Sequence, residues 1–392
     1  MRYFTLLLLS LAIVLSANAQ RKEIGQVRTI LKSGKNGAQA EQIVTKLLKD
    51  STNRVNKRIY ELWYDAVAMQ YAAANEKLYL KQRQDTADFF QLTQRMFNVA
   101  WALDSLDMQP DKRGRVKPEL RERHAEQLNG YRSNLFFGGT YHMRKGDFKR
   151  AYSLLETYID CGQQPLFTDY RLDSTDARMP EAAYWACYSA YRLEDPVLTL
   201  RHRNLALRDT SKAQYTLQYI AEARRWLKDD SFYVARLKEG FTRYPQSTYF
   251  FPRLVDHYTL YRQYDQALAT ADSLLAVAPK NELGLYAKSN ALLSLERYGE
   301  SIQVSDSLIA VNDTMPGAYY NAGMAYLNIA LKLNPRKDKK QLKQVYQKAQ
   351  HYMERYRQLA PDQKQQWGPA LYRIYLNLNL GRQFDEIDRL LR

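Results

Sequence analysis

The chain of 392 residues holds two cysteines, Cys161 and Cys187, and five histidines. Two thiols cannot staple together a domain that fails to build its own core, so a disulfide-built fold is excluded. His124, His142, His202, His257 and His351 are scattered. No two stand three or four residues apart, the spacing that puts paired ligands on one helical face, and a local metal signature is excluded with them. The sequence also lacks a Gly-rich phosphate loop, a Gly-x-Ser-x-Gly turn and a cysteine in a catalytic context. Acid pairs such as Asp229-Asp230 fall in turns between helices, where capping accounts for them. The expectation is a protein that binds without catalysing and needs no cofactor.

Long apolar runs are scarce. The one from Phe4 to Leu15 follows Arg2 and precedes Ala17-Asn18-Ala19 and Gln20, the three-part pattern of a secretory leader over residues 1–19. At about 12 residues it falls short of the roughly 20 needed to cross a bilayer. The expected product is an exported protein, soluble or peripheral to a membrane. A bacterial periplasm is the first expectation, with secretion or peripheral association with the outer membrane as alternatives. The first cysteine is Cys161, so none beside the cleavage site carries a lipid. Acidic charge is also in deficit, 42 Asp and Glu against 58 Lys and Arg, a formal net charge of +16. Export makes nucleic acid an unexpected partner. What remains is an acidic protein or peptide, anionic lipid or a charged envelope polymer. If Cys161 and Cys187 lie on antiparallel neighbouring helices, their positions put them about 10 Å apart, too far for a bridge.

Helical pattern and tyrosine are what the chain has in quantity. Residues 248–281 place Phe251, Leu254, Val255 and Tyr258 at offsets 4, 7, 8 and 11, and Tyr264, Ala267 and Pro279 at 17, 20 and 32. Residues 282–315 repeat the pattern with Leu285, Ser289, Leu292 and Tyr298, with Ser301 in place of the small Ala. This tandem 34-residue spacing resembles the tetratricopeptide repeat (TPR) family. The resemblance implies an all-α, right-handed superhelical solenoid of antiparallel helix pairs. A third match lies at 132–165, where Leu135, Gly139, Phe148, Ala151 and Leu155 fall at offsets 4, 8, 17, 20 and 24. Gly139 and Ala151 are small because paired helices approach closely there. Further units are read at about 216–247, at 316–362 and, incomplete, at 368–392.

Residues 20–118 read as a divergent helical section or cap before the solenoid of 119–392. A short helix over 21–32, a Gly-containing break and a second helix over 38–49 make a hairpin. Asn53 is the expected cap of a longer helix, and its partner begins near Asp85. Residues 107–118 form a polar, basic connection, and 163–179 a long loop with Leu166, Phe167 and Tyr170. The second helix of the 316–362 unit is delayed by 14 residues, and the insertion carries Arg336, Lys337, Asp338, Lys339 and Lys340. The basic residues form either a solvated face or a projecting contact for an acidic partner.

In TPR proteins the first helix of each repeat lines a concave groove, and the resemblance places offsets 2, 5, 9 and 12 toward the ligand. Offset 5 then gives Phe136, Tyr184, Ile220, Pro252, Tyr286, Tyr320 and Tyr372. Offsets 9 and 12 add Tyr188, Tyr191, Asn290 and, at the end, Asn379. With 31 tyrosines against 13 phenylalanines, such rings suit both helix seams and binding surfaces. The functional expectation is a protein–protein interaction scaffold of the bacterial cell envelope holding a partner in this groove. A carbohydrate or envelope polymer held by the same tyrosines is the alternative.

Overall fold

The computed structural model describes residues 20–110 and 113–392, and the leader expected over 1–19 lies outside them. Every regular element among the described residues is helical. They fall into two compact units, one ending at Leu227 and the other beginning at Lys228.

In the first unit, α1 covers 20–33 of the described residues and pairs with α2 (Gly37–Leu47). The helix expected to start at Asn53 starts three residues later. A 3-10 turn, Ser51–Val55, intervenes with Asp50 as its cap, and Asn56 caps α3 (Lys57–Tyr79) by accepting from the Arg58 N–H. Asn53 turns inward instead, donating to the Leu47 carbonyl at 2.8 Å and accepting from Gln20 Nε2 at 2.6 Å. The antiparallel partner α4 (Thr86–Asp107) begins as expected at Asp85, whose Oδ1 accepts from the N–H groups of Ala87 and Asp88.

α5 (Arg121–Tyr131) bends at Arg132 into α6 (Ser133–Arg144), which pairs with α7 (Phe148–Asp160). Met96, Phe97, Leu103, Leu128, Leu135 and Leu155 lie at 0% exposure in the shared core. Each such side chain contributes about 1.5–3 kcal/mol relative to an exposed one. A Cβ on Gly139 would overlap the Leu155 side chain, so close helix approach sets the residue there. The loop of 163–179 folds into a 3-10 segment, Pro165–Tyr170, and the one-turn α8 (Leu172–Thr175). It packs its own apolar residues: Leu166 and Phe167 are 3% and 2% exposed, and Phe167 stacks on Phe97. The unit continues with α9 (Met179–Arg192), the broken pair α10 (Pro196–Arg201) and α11 (Arg203–Ala206), and α12 (Ala213–Trp226).

The second unit contains α13 (Asp230–Arg243), α14 (Phe250–Leu260), α15 (Tyr264–Val277), α16 (Glu282–Ser294) and α17 (Tyr298–Val311). It ends with α18 (Pro316–Lys332), α19 (Lys339–Leu359), α20 (Lys364–Asn377) and α21 (Gly381–Leu391). From α14 on, consecutive helices pack as antiparallel neighbours.

A backbone signature extends the repeat beyond what side chains reveal. Residues of positive φ follow first helices at Glu194, Lys228, Arg262 and Glu296, in steps of 34. At three of them the next N–H reaches back into the helix: Asp195 to Ala190, Gln263 to Tyr258 and Arg297 to Leu292, at 3.1, 2.7 and 2.9 Å. This is the Schellman closure, which satisfies carbonyls that a helix end leaves orphaned. Glycine fills this position once, as Gly146 with φ 76°, and there Asp147 bonds back to His142. Counted backwards, the period sets unit starts at 214 and 180, two residues ahead of the start at 216 read from the side-chain pattern.

Candidate binding surface

A continuous row of rings runs through the first unit from the start of α7 across α9 to α12. Phe148 lies 5.9 Å from Tyr188, and Tyr188 lies 5.7 Å from Tyr219. Tyr219 stacks on Tyr191 at 4.7 Å with planes 27° apart, and Tyr191 stacks on Trp226 at 5.5 Å and 18°. Trp185 meets Tyr188 edge-on. All six rings are half-buried. Five of the six lie on α9 and α12, whose residues 188, 191, 219 and 226 recur at helical spacing on facing sides, and Phe148 on α7 closes the row.

Cations border the row. Arg192 donates from Nη1 to the Tyr188 hydroxyl at 2.8 Å, and its guanidinium lies 4.5 Å over the Phe148 ring. Lys212 Nζ lies 5.5 Å over Tyr184, a favourable placement against the ring quadrupole. Burial pushes the Tyr219 and Tyr184 phenols up from their ordinary value, and the hydrogen bond that Tyr219 donates to Tyr184 adds to the rise at Tyr219 and offsets part of it at Tyr184. Both therefore stay protonated and act as neutral hydrogen-bonding groups.

The sequence-derived residues divide by exposure. Phe136 and Tyr184 are 7% and 6% exposed. Phe136 packs on Tyr158 and lies beneath the Arg178 guanidinium, and Tyr184 packs on Trp185 and Tyr219. Tyr188 and Tyr191 stand in the row itself. Ile220, expected at offset 5, is buried at 3%. With the unit starting at 214, offset 2 falls on Tyr215, which is 50% exposed. Tyr219 and Trp226 escape the offset rule, although Tyr215, Tyr219 and Trp226 are spaced four and seven apart on one helical face.

In the second unit Tyr286 is 37% exposed. Its ring crosses Gly317 of the next first helix so closely that a Cβ there would overlap it. Tyr320 leans on Tyr356 at 5.1 Å, and Tyr372 leans on Phe384 at 4.7 Å. Tyr320, Tyr372 and Asn290 are half-buried. Burial raises the Tyr286 phenol, and the neighbouring Tyr320 and Asp256 raise it further.

The basic insertion lies at a turn. Arg336, Lys337, Lys339 and Lys340 are all exposed at the end of the hairpin formed by α18 and α19. Elsewhere, a cleft of 740 Å³ opens between α5 and the 163–179 segment, lined by Arg121, Glu122, Asp169 and Tyr170 among others. Cys161 and Cys187 are free and buried. Their thiols approach the Thr157 and Thr199 carbonyls at 3.2 and 3.3 Å. Among the described residues no group of three or more His, Cys, Asp or Glu is placed to hold a metal ion, and no helix is long and apolar enough to cross a membrane.

No protein-family model matches the chain, and no curated protein matches it in sequence. Solved structures do. The C-terminal part of a TPR repeat-containing protein from Cytophaga hutchinsonii is 11% identical, with a TM-score of 0.44, over 64% of this chain and 92% of that one. The TPR2AB domain–pHSP90 complex of yeast Sti1 is 15% identical, with a TM-score of 0.26, over 78% of this chain and 96% of that one. The Cut9–Hcn1 hetero-tetramer of the APC/C is 13% identical, with a TM-score of 0.32, over 93% and 79%. The described residues of the present chain form an all-α array of helix pairs, with turns of positive φ recurring every 34 residues from Glu194 to Glu296.

Proposed function

We propose that the protein is a non-catalytic scaffold that binds an extended segment of another protein along its ring-lined first helices. We also propose that it works as an exported protein of the bacterial envelope, in the periplasm. The stacked run of Tyr219, Tyr191 and Trp226 carries the binding reading. Fixed rings offer a large amphipathic surface that loses little side-chain entropy on binding. The same stacking favours protein over carbohydrate. A sugar is held against a free ring face, whereas Tyr191 here stacks on both Tyr219 and Trp226. Hydroxyls and cations arranged in this way suit the carbonyls of an extended backbone. The leader pattern of residues 1–19 supports export.

Selection from a displayed peptide library tests the binding reading. The protein is expected to enrich extended peptides whose affinity falls about tenfold, a loss of about 1.4 kcal/mol, in Tyr215→Ala and Tyr188→Phe variants that still melt normally. Failure to enrich any peptide, together with binding on an oligosaccharide array, would move the assignment to the polymer alternative.

A further inference from the structure

The 14-residue insertion is a shaped projection. Compared with α16 and α17, of 13 and 14 residues, α18 and α19 have 17 and 21. Both helices are lengthened at the end nearest the turn. At about 1.5 Å per residue the hairpin therefore reaches roughly 6–10 Å past its predecessor. Its turn is fixed by hydrogen bonds. Asn334 Oδ1 accepts from the N–H groups of Arg336 and Lys337 at 2.9 and 3.1 Å, and Asp338 Oδ2 accepts from the Asn334 N–H at 2.9 Å.

On this frame stand Arg336, Lys337, Lys339, Lys340 and Lys343, all exposed. None forms an ion pair with another described residue. Lys332, at the base, is by contrast paired with Glu296 at 2.8 Å. Asp338, the acid within the turn, has its carboxylate engaged by the backbone. The first turn of α19 contains no acid, so its lysines stand against the positive end of the helix dipole. Lys339 and Lys343, four residues apart, also repel each other. The free protein carries this unfavourable field, and a facing anionic surface relieves it.

We infer that the tip docks the protein on a surface of anionic phospholipid headgroups. Four of the five cations are lysines, compact point charges that attract phosphate without the planar fork that selects a single carboxylate. The tip is convex and projecting, a shape that meets a plane before the rest of the hairpin does. Leu331, 57% exposed in the last turn of α18, adds an apolar side chain suited to the boundary between headgroups and acyl chains.

The test is co-sedimentation of the protein from Gln20 onward with vesicles of phosphatidylcholine alone or with about one-third phosphatidylglycerol. Binding to the anionic vesicles is expected to exceed binding to neutral ones by about tenfold and to vanish near ~0.5 M salt. A Lys337→Glu, Lys340→Glu, Lys343→Glu variant should lose it. A control of equal net charge, Lys22→Glu, Lys35→Glu, Lys149→Glu, should keep it. Melting by circular dichroism checks that each variant is folded, and Lys→Gln versions replace any that is not. Undiminished binding by the tip variant, equal loss in the control, or binding to poly-glutamate without binding to vesicles would each overturn the assignment. The last result would point to an acidic protein instead.

Discussion

Asn321 donates from Nδ2 to Ser289 Oγ at 2.8 Å across the seam between α18 and α16, and the two residues are 1% and 0% exposed. Ser301 completes the node by donating to the Ser289 carbonyl at 2.9 Å. Where the repeat pattern usually has a small apolar residue, this unit has hydroxyls, and the Ser289 hydroxyl that accepts from Asn321 itself donates to the Tyr286 carbonyl at 2.9 Å. An unpaired buried amide or hydroxyl is costly, so Asn321→Ala is expected to destabilise the protein by about 1–3 kcal/mol. Ser301→Ala restores the usual residue and is expected to stay within about 1 kcal/mol. Chemical unfolding of both variants checks the order, and equal effects would show that the node is not cooperative.

A second prediction concerns the anchor of the 163–179 segment. Asp176 accepts from Arg132 Nη2 at 2.6 Å and from the Tyr158 hydroxyl, and the guanidinium lies 4.3 Å over the Tyr158 ring. Burial alone would raise the Asp176 carboxyl. Hydrogen bonds from Tyr158, the Arg178 N–H and Arg132 outweigh it and hold the carboxyl below its usual range. Asp176→Asn leaves Arg132 buried without its counter-charge, and a loss of about 3–5 kcal/mol is expected by chemical unfolding. Because the folded state holds this proton less tightly, its contribution is present near neutrality and is lost only as pH falls through the depressed value.

Thiol chemistry should follow burial. Cys161 and Cys187 are 0% and 1% exposed, and burial pushes both thiols up, Cys187 to about 12. Thiolate is the reactive form. A thiol-reactive dye is therefore expected to leave the native protein unlabelled and to label both cysteines after denaturation without reductant. Labelling that appears only after reduction would reveal a bridge.

Mild acid should weaken the first unit. His124 and His202 are pushed down to about 4, in each case by burial first and by a neighbouring arginine second, Arg123 and Arg201 respectively. The folded protein keeps them neutral while the unfolded chain takes up protons near the ordinary value of 6.5. The unfolded state therefore binds more protons between these limits, and stability falls as pH drops from 6.5 toward 4. The melting temperature should decline across that interval and decline less in a His124→Phe variant. A flat profile would contradict the neutral, buried assignment.

The fold was legible wherever side-chain size repeats. The tandem at 248–315, the tight approach at Gly139 and the cap at Asp85 all leave residue types that announce them. The turns at Glu194, Lys228, Arg262 and Glu296 leave no such mark, because hydrogen bonding holds a left-handed backbone there without glycine. That hid the earlier repeats and displaced one unit start by two residues, which put Ile220 at offset 5, where Gln218 belongs, and left Tyr215 at offset 2 unread. Asn53 misled for a local reason: a 3-10 turn moved the helix start to the next asparagine. In the ring row, Tyr188 and Tyr191 stand at offsets 9 and 12, which the sequence pattern contains. Tyr219 and Trp226 are positioned by stacking across two helices, a relationship that a single-helix offset rule does not contain. Phe136 and Tyr184 show the converse, since a groove offset does not guarantee exposure when the next helix packs over the ring.

The most direct measurement is photo-crosslinking from a benzoylphenylalanine placed at position 188 in the ring row, with position 197, 68% exposed on α10, as the control. Both variants would be irradiated in cells that make the protein, and the adducts digested and sequenced. The account predicts a covalent adduct to one protein, through a contiguous segment of its chain, from position 188 and none from 197. Adducts of equal yield and identity from both positions, or none from 188, would contradict a binding face built on α9 and α12.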